Sequence, residues 1–186
     1  MKDSPTYKVL LENSSTINED TITTFSDSSW DDCVDTGRST GGNITIMQGG
    51  PVDHSSHLQI PVAMSSGEAE YISVAVACMR ASHLWMLTYD LKYFGTPKYD
   101  GDNPDYELGK IIIDNEAAIC MAKYNKDTAG NRHVAQRYDY VRQGTALKEH
   151  EFEWIGTKFQ LADILSKVGN RPSFGHLWLR ILHEHE

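Results

Sequence analysis

Four acidic residues stand at positions where their side chains could act together. Asp27 follows the apolar part of a predicted strand, Asp114 ends the run KIIID, and Asp163 lies near the start of a late helical segment, QLADILSKV. The fourth, Glu70, lies near the start of a helix that opens with AMSSGEAEY. Consecutive members are 43, 44 and 49 residues apart, so each acid belongs to a different structural element.

Carboxylates gathered in this way would have a definite chemistry. Four of them in a low-dielectric site repel one another strongly unless cations lie between them. Hard oxygen ligands select magnesium or manganese, and a pair of such ions supports displacement at phosphorus. The alternative is that these acids only terminate strands and cap helices. The positions of the acids leave both interpretations open.

Two glutamates share the start of the long helix, and their spacing gives them different roles. Helix residues two apart point about 200° away from each other, so Glu68 and Glu70 cannot serve the same site. The stretch SSGE, residues 65–68, fits the capping box S-x-x-E, in which the glutamate reaches back to the backbone N–H of the cap residue. Glu70 is therefore the glutamate that remains available for chemistry.

Local patterns predict the elements that position these acids. Short strands are predicted in TITTF, in NITIM between two Gly-Gly pairs, and in SHLQIPVAM (residues 56–64), which together form an antiparallel meander. A long helix that is apolar nearly all round follows, and KIIID predicts a central strand covered on both faces. NEAAICMAKYN, the segment around Val141 and QLADILSKV predict helices, and EFEW alternates as a strand. The order β-β-β-α-β-α-α-β-α predicts a mixed sheet with helices on its faces.

The composition is that of a single globular domain. The chain has 186 residues, 40% of them hydrophobic, and we predict one domain over residues 21–186 after an extended lead-in or linker over residues 1–20. No apolar run approaches the roughly 18 residues of a membrane span, and the N-terminus lacks a signal-peptide core. Three cysteines without a CxxC pair predict reduced thiols. We therefore expect an intracellular protein (cytoplasm, virus-like particle or nucleus) that is not secreted and has no membrane partner.

The four tryptophans are predicted to be core residues: Trp30, Trp85, Trp154 and Trp178.

The net charge of −9 is unevenly distributed. Residues 1–110 hold 7 Lys and Arg against 16 Asp and Glu, whereas residues 111–186 hold 10 of each kind. A free-standing nucleic-acid binder usually has a basic face. Affinity for a polyanion would therefore need local basic patches, cations or a partner domain.

Four motifs occur in a fixed order: FSDSSW…TGRSTGG, AMSSGEAEYISVA, IIIDNEAAI and GTKFQLADILSK. Together they resemble the ribonuclease H domain at the end of copia-type retrotransposon polyproteins, whose patterns are S-D-x-x-W…R-S-T-x-G, L-S-S-x-E-A-E-Y, D-N-x-x-A-I and T-x-x-Q-x-A-D-x-x-[ST]-K. The match runs from about residue 22 to about residue 180. Each motif alone is weakly specific, but four in order with fitting spacings are a strong signal.

The resemblance implies an α/β ribonuclease H-like fold, with a five-stranded mixed sheet whose first three strands are antiparallel, flanked by α-helices. It also implies an Asp-Glu-Asp-Asp metal site at Asp27, Glu70, Asp114 and Asp163, which would hold two Mg²⁺ ions and accept Mn²⁺ in their place. The implied activity is hydrolysis of the RNA strand of RNA–DNA hybrids, beside a reverse transcriptase domain in cis or in trans. Polar and basic residues are the candidates for hybrid binding: Ser28, Ser66, Asn115, Arg142 and Lys158. For Asn115 a helix N-cap is an equal alternative.

Two other functions stay open. A catalytically silent ribonuclease H-like binding or assembly module, such as a domesticated transposon fragment, fits the acidic first half of the chain, although the intact set of acids argues against it. A strand-transferring relative such as an integrase usually carries a glutamate on a late helix. Asp163 stands there instead, which favours ribonuclease H.

Overall fold

The computed structural model describes residues 22–47, 50–91, 109–123 and 135–167. None of the helices in these ranges is long and apolar enough to cross a membrane. The predicted lead-in and Trp178 lie outside the described residues, so the domain boundary at residue 21 stays a prediction.

Five strands and four helices follow the predicted order in the described ranges. The strands are β1 (Thr23–Ser29), β2 (Thr40–Met47), β3 (Gly50–Leu58), β4 (Gly109–Ile113) and β5 (His150–Trp154). The helices are α1 (Ser66–Asp90), α2 (Glu116–Lys123), α3 (Ala135–Ala146) and α4 (Asp163–Ser166), and a 3₁₀ turn covers Thr157–Phe159.

The strands form one mixed sheet in the order β3-β2-β1-β4-β5. β2 is antiparallel to both β1 and β3, whereas β4 is parallel to β1 and β5 is parallel to β4. The predicted fold class is therefore confirmed. Because β1, β4 and β5 run in the same direction, their ends at residues 29, 113 and 154 lie on one side of the sheet. We call this side the carboxyl edge.

The third strand lies earlier in the chain than the sequence predicts. The predicted strand covers residues 56–64, but β3 begins at Gly50 and ends at Leu58. β3 is an edge strand whose side chains alternate between exposed and half-buried, so its polar sequence DHSSH gives no apolar signal. The following connection into α1 is held by the buried Gln59, whose N–H donates to Ser39 O (2.7 Å) and whose Nε2 donates to Ala69 O (2.8 Å).

Each face of the sheet is covered by its own apolar cluster. Ile111 and Ile113 of β4 belong to the cluster under α1, α2 and α3. Ile112 belongs to the opposite cluster, with Phe25 of β1 and Leu161 of the segment before α4. All three isoleucines are buried, which confirms that KIIID is a central strand. Each fully buried isoleucine stabilises the fold by roughly 1.5–3 kcal/mol.

Two of the four tryptophans are not core residues. The side chains of Trp30 and Trp154 are 52% and 53% exposed, so the core prediction is wrong for both. Both rings stand at the carboxyl edge, at or just past the ends of β1 and β5, where neither apolar cluster covers them. Their Nε1–H groups donate to backbone carbonyls, that of Trp30 to Ala63 (3.2 Å) and that of Trp154 to Asp114 (3.1 Å).

Candidate active site

Three of the four predicted acids converge at the carboxyl edge. Asp27, Glu70 and Asp114 each offer one carboxylate oxygen, and these oxygens all lie within 4.8 Å of one another. Asp27 lies within β1, Glu70 near the start of α1, and Asp114 directly after β4. Asp27 and Glu70 are buried, whereas Asp114 is half-buried.

Serines on α1 and β1 bring the helix close enough to the strand for this convergence. Ser73 Oγ on α1 donates to the backbone carbonyl of Asp27 (2.9 Å) and accepts from Ser26 Oγ (3.1 Å). One turn nearer the start of α1, Glu70 Oε1 accepts the backbone N–H of Ser28 (3.3 Å). These bonds fix both the distance between α1 and β1 and the direction in which the Glu70 carboxylate points.

Glu68 has the structural role that its spacing predicts. The Glu68 N–H donates to Ser65 Oγ (3.2 Å), which makes Ser65 the N-cap of α1. Glu68 Oε2 in turn accepts the backbone N–H of Met64 (2.8 Å), one residue earlier than the capping box predicts. The two carboxylates therefore diverge, with Glu68 at the helix cap and Glu70 in the site.

Asp163 is not one of the three converging acids, but it reaches Asp27 through a lysine. Its Oδ1 accepts from Lys167 Nζ at 2.7 Å. The same ammonium lies 3.3 and 3.4 Å from the two carboxylate oxygens of Asp27. Ser166 Oγ also donates a hydrogen bond to Asp27 Oδ2. The cluster is thus a triad of acids joined through Lys167 to a fourth acid.

The segment that carries Asp163 is held against β1 and β2 by two features. Gln160 is buried, and its Nε2 donates to the backbone carbonyl of Ser26 (3.0 Å), next to Asp27. On β2, a Cβ placed on Gly42 would lie 2.7 Å from Ser166 N, so only glycine admits this close approach. No role is predicted from the sequence for Gln160 or Ser166, although both lie in the motif GTKFQLADILSK.

Burial and mutual repulsion make the acids hard to ionise without a cation. Burial, together with the negative charges of Asp27 and Asp114, raises the pKa of Glu70 to about 9. Burial also raises the pKa of Asp27 to about 7, although the Lys167 charge and the Ser166 hydrogen bond oppose this. Glu70 Oε2 is buried and has no hydrogen-bond partner within the described ranges. An unsatisfied oxygen in a cluster of carboxylates fits a hard divalent cation.

Asn115 caps α2. Its Oδ1 accepts the N–H groups of Ala117 (2.9 Å) and Ala118 (3.2 Å), which is the geometry of the helix N-cap alternative. The side chain is half-buried beside Asp114. Its capping role is therefore established, and its predicted contact with a hybrid stays a prediction.

The other candidates for hybrid binding differ in how they are placed. Ser28 is buried beside Glu70, whereas Ser66 is exposed as the first residue of α1. Lys158 is exposed after β5, with its ammonium 4.7 Å from the centre of the Phe159 ring. Arg142 is half-buried in the second half of α3. Because α3 leads into the start of β5, this half of the helix lies toward the edge of the sheet opposite the carboxyl edge. The fold thus gives the prediction for Arg142 no support.

The strand order, the strand directions and the helices on the faces of the sheet are those of the ribonuclease H fold. Three solved structures share it at low sequence identity. The N-terminal RNase H domain of a Mycobacterium tuberculosis protein is 10% identical, with a TM-score of 0.54 over 85% of this chain and 96% of that one. RNase H1 from Halobacterium salinarum is 14% identical, with a TM-score of 0.54 over 78% and 93%. LC11-RNase H1 in complex with an RNA/DNA hybrid is 15% identical, with a TM-score of 0.51 over 77% and 92%.

The similar curated sequences are retrovirus-related Pol polyproteins from transposons. The chain is 27% identical over 141 residues to that of transposon TNT 1-94 from Nicotiana tabacum, which is 76% of this chain and 10% of the relative. It is 27% identical over 171 residues to that of transposon RE1 from Arabidopsis thaliana, which is 92% of this chain and 11% of the relative. The resemblance to retrotransposon polyproteins is therefore confirmed, and the chain spans about a tenth of their length. No protein-family model matches the chain.

Proposed function

We propose that this chain is the ribonuclease H part of a retrotransposon polyprotein and hydrolyses the RNA strand of RNA–DNA hybrids. The observation that carries the proposal is the convergence of Asp27, Glu70 and Asp114 within 4.8 Å at the carboxyl edge of a ribonuclease H fold. The hybrid substrate is supported by a structural neighbour that was solved with an RNA/DNA hybrid, and a reverse transcriptase domain in cis or in trans is supported by the Pol polyprotein relatives.

Divalent cations, two Mg²⁺ or Mn²⁺ in their place, belong to the proposal. Asp27, Glu70 and Asp114 would hold one, and Asp163 would join Asp27 in holding the other. When bound, such ions activate a water for in-line attack at phosphorus and stabilise the charge of the departing 3′ oxygen.

The surrounding residues orient the carboxylates for this task. The Ser28 N–H fixes one oxygen of Glu70 and leaves the other, Oε2, unpaired within the described ranges. Ser166 in the same way directs the carboxylate of Asp27. Residues that hydrogen-bond to metal ligands in this way typically contribute about 10–100-fold to metal affinity or activity.

RNA would be selected by groups that read 2′-hydroxyls across the wide, shallow minor groove. Ser66 and Lys158 are exposed, and Asn115 is half-buried directly after Asp114. They offer a hydroxyl, a cation and an amide. Basic contacts of this kind make hybrid binding salt-dependent. The acidic overall charge supports a partner domain that supplies further affinity.

Cleavage of a labelled RNA–DNA hybrid tests the proposal. The native chain with Mg²⁺ should cleave the RNA strand and leave DNA duplexes intact, and EDTA should abolish cleavage. Asp114→Asn should reduce the rate by about 10³-fold or more, because metal-assisted charge stabilisation contributes several kcal/mol. Asp139→Asn, the same change at an exposed position of α3, should leave the rate unchanged.

The same assay distinguishes the silent module from the enzyme. A native chain that binds the hybrid but does not cleave it with Mg²⁺ or Mn²⁺, alone or with a reverse transcriptase domain, would overturn the proposed activity. The fold assignment would be unaffected, and the binding or assembly module would then be the better description.

A further inference from the structure

A lysine side chain lies inside the acidic cluster. Lys167 Nζ is 2.7 Å from Asp163 Oδ1 and 3.3 Å from Asp27 Oδ2, so one ammonium pairs with two carboxylates that lie 136 positions apart in the chain. Asp27 is 1% exposed, whereas the Lys167 side chain is 41% exposed. The ammonium thus reaches from the surface into a buried acidic site.

This ammonium occupies the oxygens that a divalent cation would need. Asp27 Oδ2 accepts from Ser166 and faces Lys167, and Asp27 Oδ1 lies 3.4 Å from the same ammonium. Glu70 and Asp114, by contrast, have no ion pair among the described side chains. The acidic cluster therefore has an open part, at Glu70 and Asp114, and a part already neutralised by a cationic side chain.

We propose that Lys167 competes with a divalent cation for Asp27 and Asp163, so that the two cations bind in sequence. The first ion enters at Glu70 and Asp114, the open part of the cluster, and the second binds to Asp27 and Asp163 only after the ammonium has left. This inference rests on the proposed two-cation function. It makes Lys167 the residue that sets how tightly the second cation binds.

The position of Lys167 in the chain allows it to leave. It directly follows α4 with extended backbone angles (φ −115°, ψ 139°), and much of its side chain is already in solvent. Gln160 and Ser166 hold the α4 segment independently, through bonds to Ser26 and Asp27. Release of the ammonium therefore leaves Asp163 in place.

Calorimetric titration with Mn²⁺ in the absence of nucleic acid tests the competition. Lys167→Met keeps a long unbranched side chain and removes the charge, so the second, weaker Mn²⁺ should bind about tenfold more tightly or better, as expected when a unit charge some 4 Å away is removed. Lys148→Met should bind Mn²⁺ as the native chain does. It removes the same charge from an exposed turn before β5, at the opposite edge of the sheet. Lys167→Arg, which retains a cation, should keep the weak second step.

A second measurement uses the native chain alone. An ammonium held by two carboxylates acylates slowly, so limited acylation followed by mass spectrometry should label Lys167 several-fold more in the presence of Mg²⁺. Labelling of Lys148 should not change. Unchanged or lower labelling of Lys167 with Mg²⁺ would overturn the competition.

The outcomes separate this inference from the proposed function. If the native chain binds two Mn²⁺ ions and cleaves the hybrid, but Lys167→Met binds the second ion no more tightly or loses it, only the competition is wrong. If the folded native chain binds no Mn²⁺ at all, both the competition and the two-cation function are wrong.

Discussion

Gly42 lies directly opposite Asp27 in the β1–β2 ladder, and the backbone of α4 rests on Gly42 at a distance that excludes any side chain. A Cβ at this position would come within 2.8 Å of Ala162 O as well as 2.7 Å of Ser166 N. The glycine thus determines how near Asp163, Ser166 and Lys167 come to Asp27.

Gly42→Ala is expected to destabilise the protein by about 1–3 kcal/mol, because backbone atoms must move to accept the methyl group. The same displacement should weaken Mn²⁺ binding, since α4 moves away from Asp27. Urea unfolding and Mn²⁺ titration of the variant measure the two effects.

Gly50→Ala is the matched control. A Cβ on Gly50 would meet nothing within 4 Å, so the change in unfolding free energy should stay within about 0.5 kcal/mol. Equal effects of the two alanines would show that the close approach at Gly42 is unimportant.

Glu70→Gln and Glu68→Gln should have opposite consequences for activity. Glu70→Gln removes a proposed cation ligand, and cleavage should fall by about 10³-fold or more. Its stability without cations at pH 8 should be at least that of the native chain, because a buried acid that resists ionisation is replaced by a neutral group.

Glu68→Gln makes the same chemical change two residues away. Glutamine can also accept the N–H of Met64, so stability should change by less than about 0.5 kcal/mol and cleavage should persist. Hybrid cleavage and urea unfolding of both variants give the comparison. Loss of cleavage in Glu68→Gln with the fold intact would contradict the division of roles.

Without divalent cations, the free energy of unfolding should fall as the pH rises from about 7 to about 9. Burial raises the pKa of Glu70 from 4.5 to about 9, so the folded state binds more protons than the unfolded state over this interval. An excess of protons in the folded state makes the slope of stability against pH negative, with a limit of about 1.4 kcal/mol per pH unit for one group.

Two other groups with shifted pKa values, Asp27 and His150, change the stability mainly below pH 7. Asp27, whose pKa is raised by burial to about 7, contributes a slope of the same sign mainly below that pH. Burial lowers the pKa of His150 from 6.5 to about 4, which gives a slope of opposite sign only below pH 6.5. Urea unfolding in EDTA at pH 7 and 8 therefore reports mainly on Glu70, because the Cys78 thiol, whose pKa is also raised by burial, adds a slope of the same sign only toward pH 9. Glu70→Gln should flatten the slope, and Mg²⁺ should stabilise the native chain more at pH 9 than at pH 7, since protons compete with the cation.

Asn115→Ala should cost about 1 kcal/mol of stability, because the first N–H groups of α2 lose their acceptor. Asn115→Ser should recover most of this loss, since serine is also a good N-cap. Thermal unfolding of the two variants measures the difference. An alanine variant as stable as the native chain would contradict the capping role.

Local sequence patterns predicted the order of elements well, and three of the four acids named from the sequence lie together in the structure. KIIID has three consecutive buried isoleucines because β4 is covered on both faces, and such runs are visible in a sequence. The choice of Glu70 over Glu68 follows from the helical period and the cap, both of which are local. β3 was misplaced because an edge strand with a solvated face carries no apolar signal.

Contacts between distant segments were not predictable in the same way. The pairing of Lys167 with Asp27 depends on Gly42 and Gln160, which bring residues more than 130 positions apart into contact. A single tryptophan in a sequence likewise does not show whether its ring is buried or exposed. Trp30 and Trp154 are exposed because of where their strands end, which follows from the sheet and not from the residue type.

The exposed indole rings of Trp30 and Trp154 place two fluorescent groups at the carboxyl edge. Each is anchored by its N–H to a backbone carbonyl, that of Trp154 to Asp114 itself, while much of the ring stays open to water. A nucleic acid arriving at the acids would cover these rings and alter their fluorescence. Occupancy of the edge could then be followed in the native chain without any attached dye.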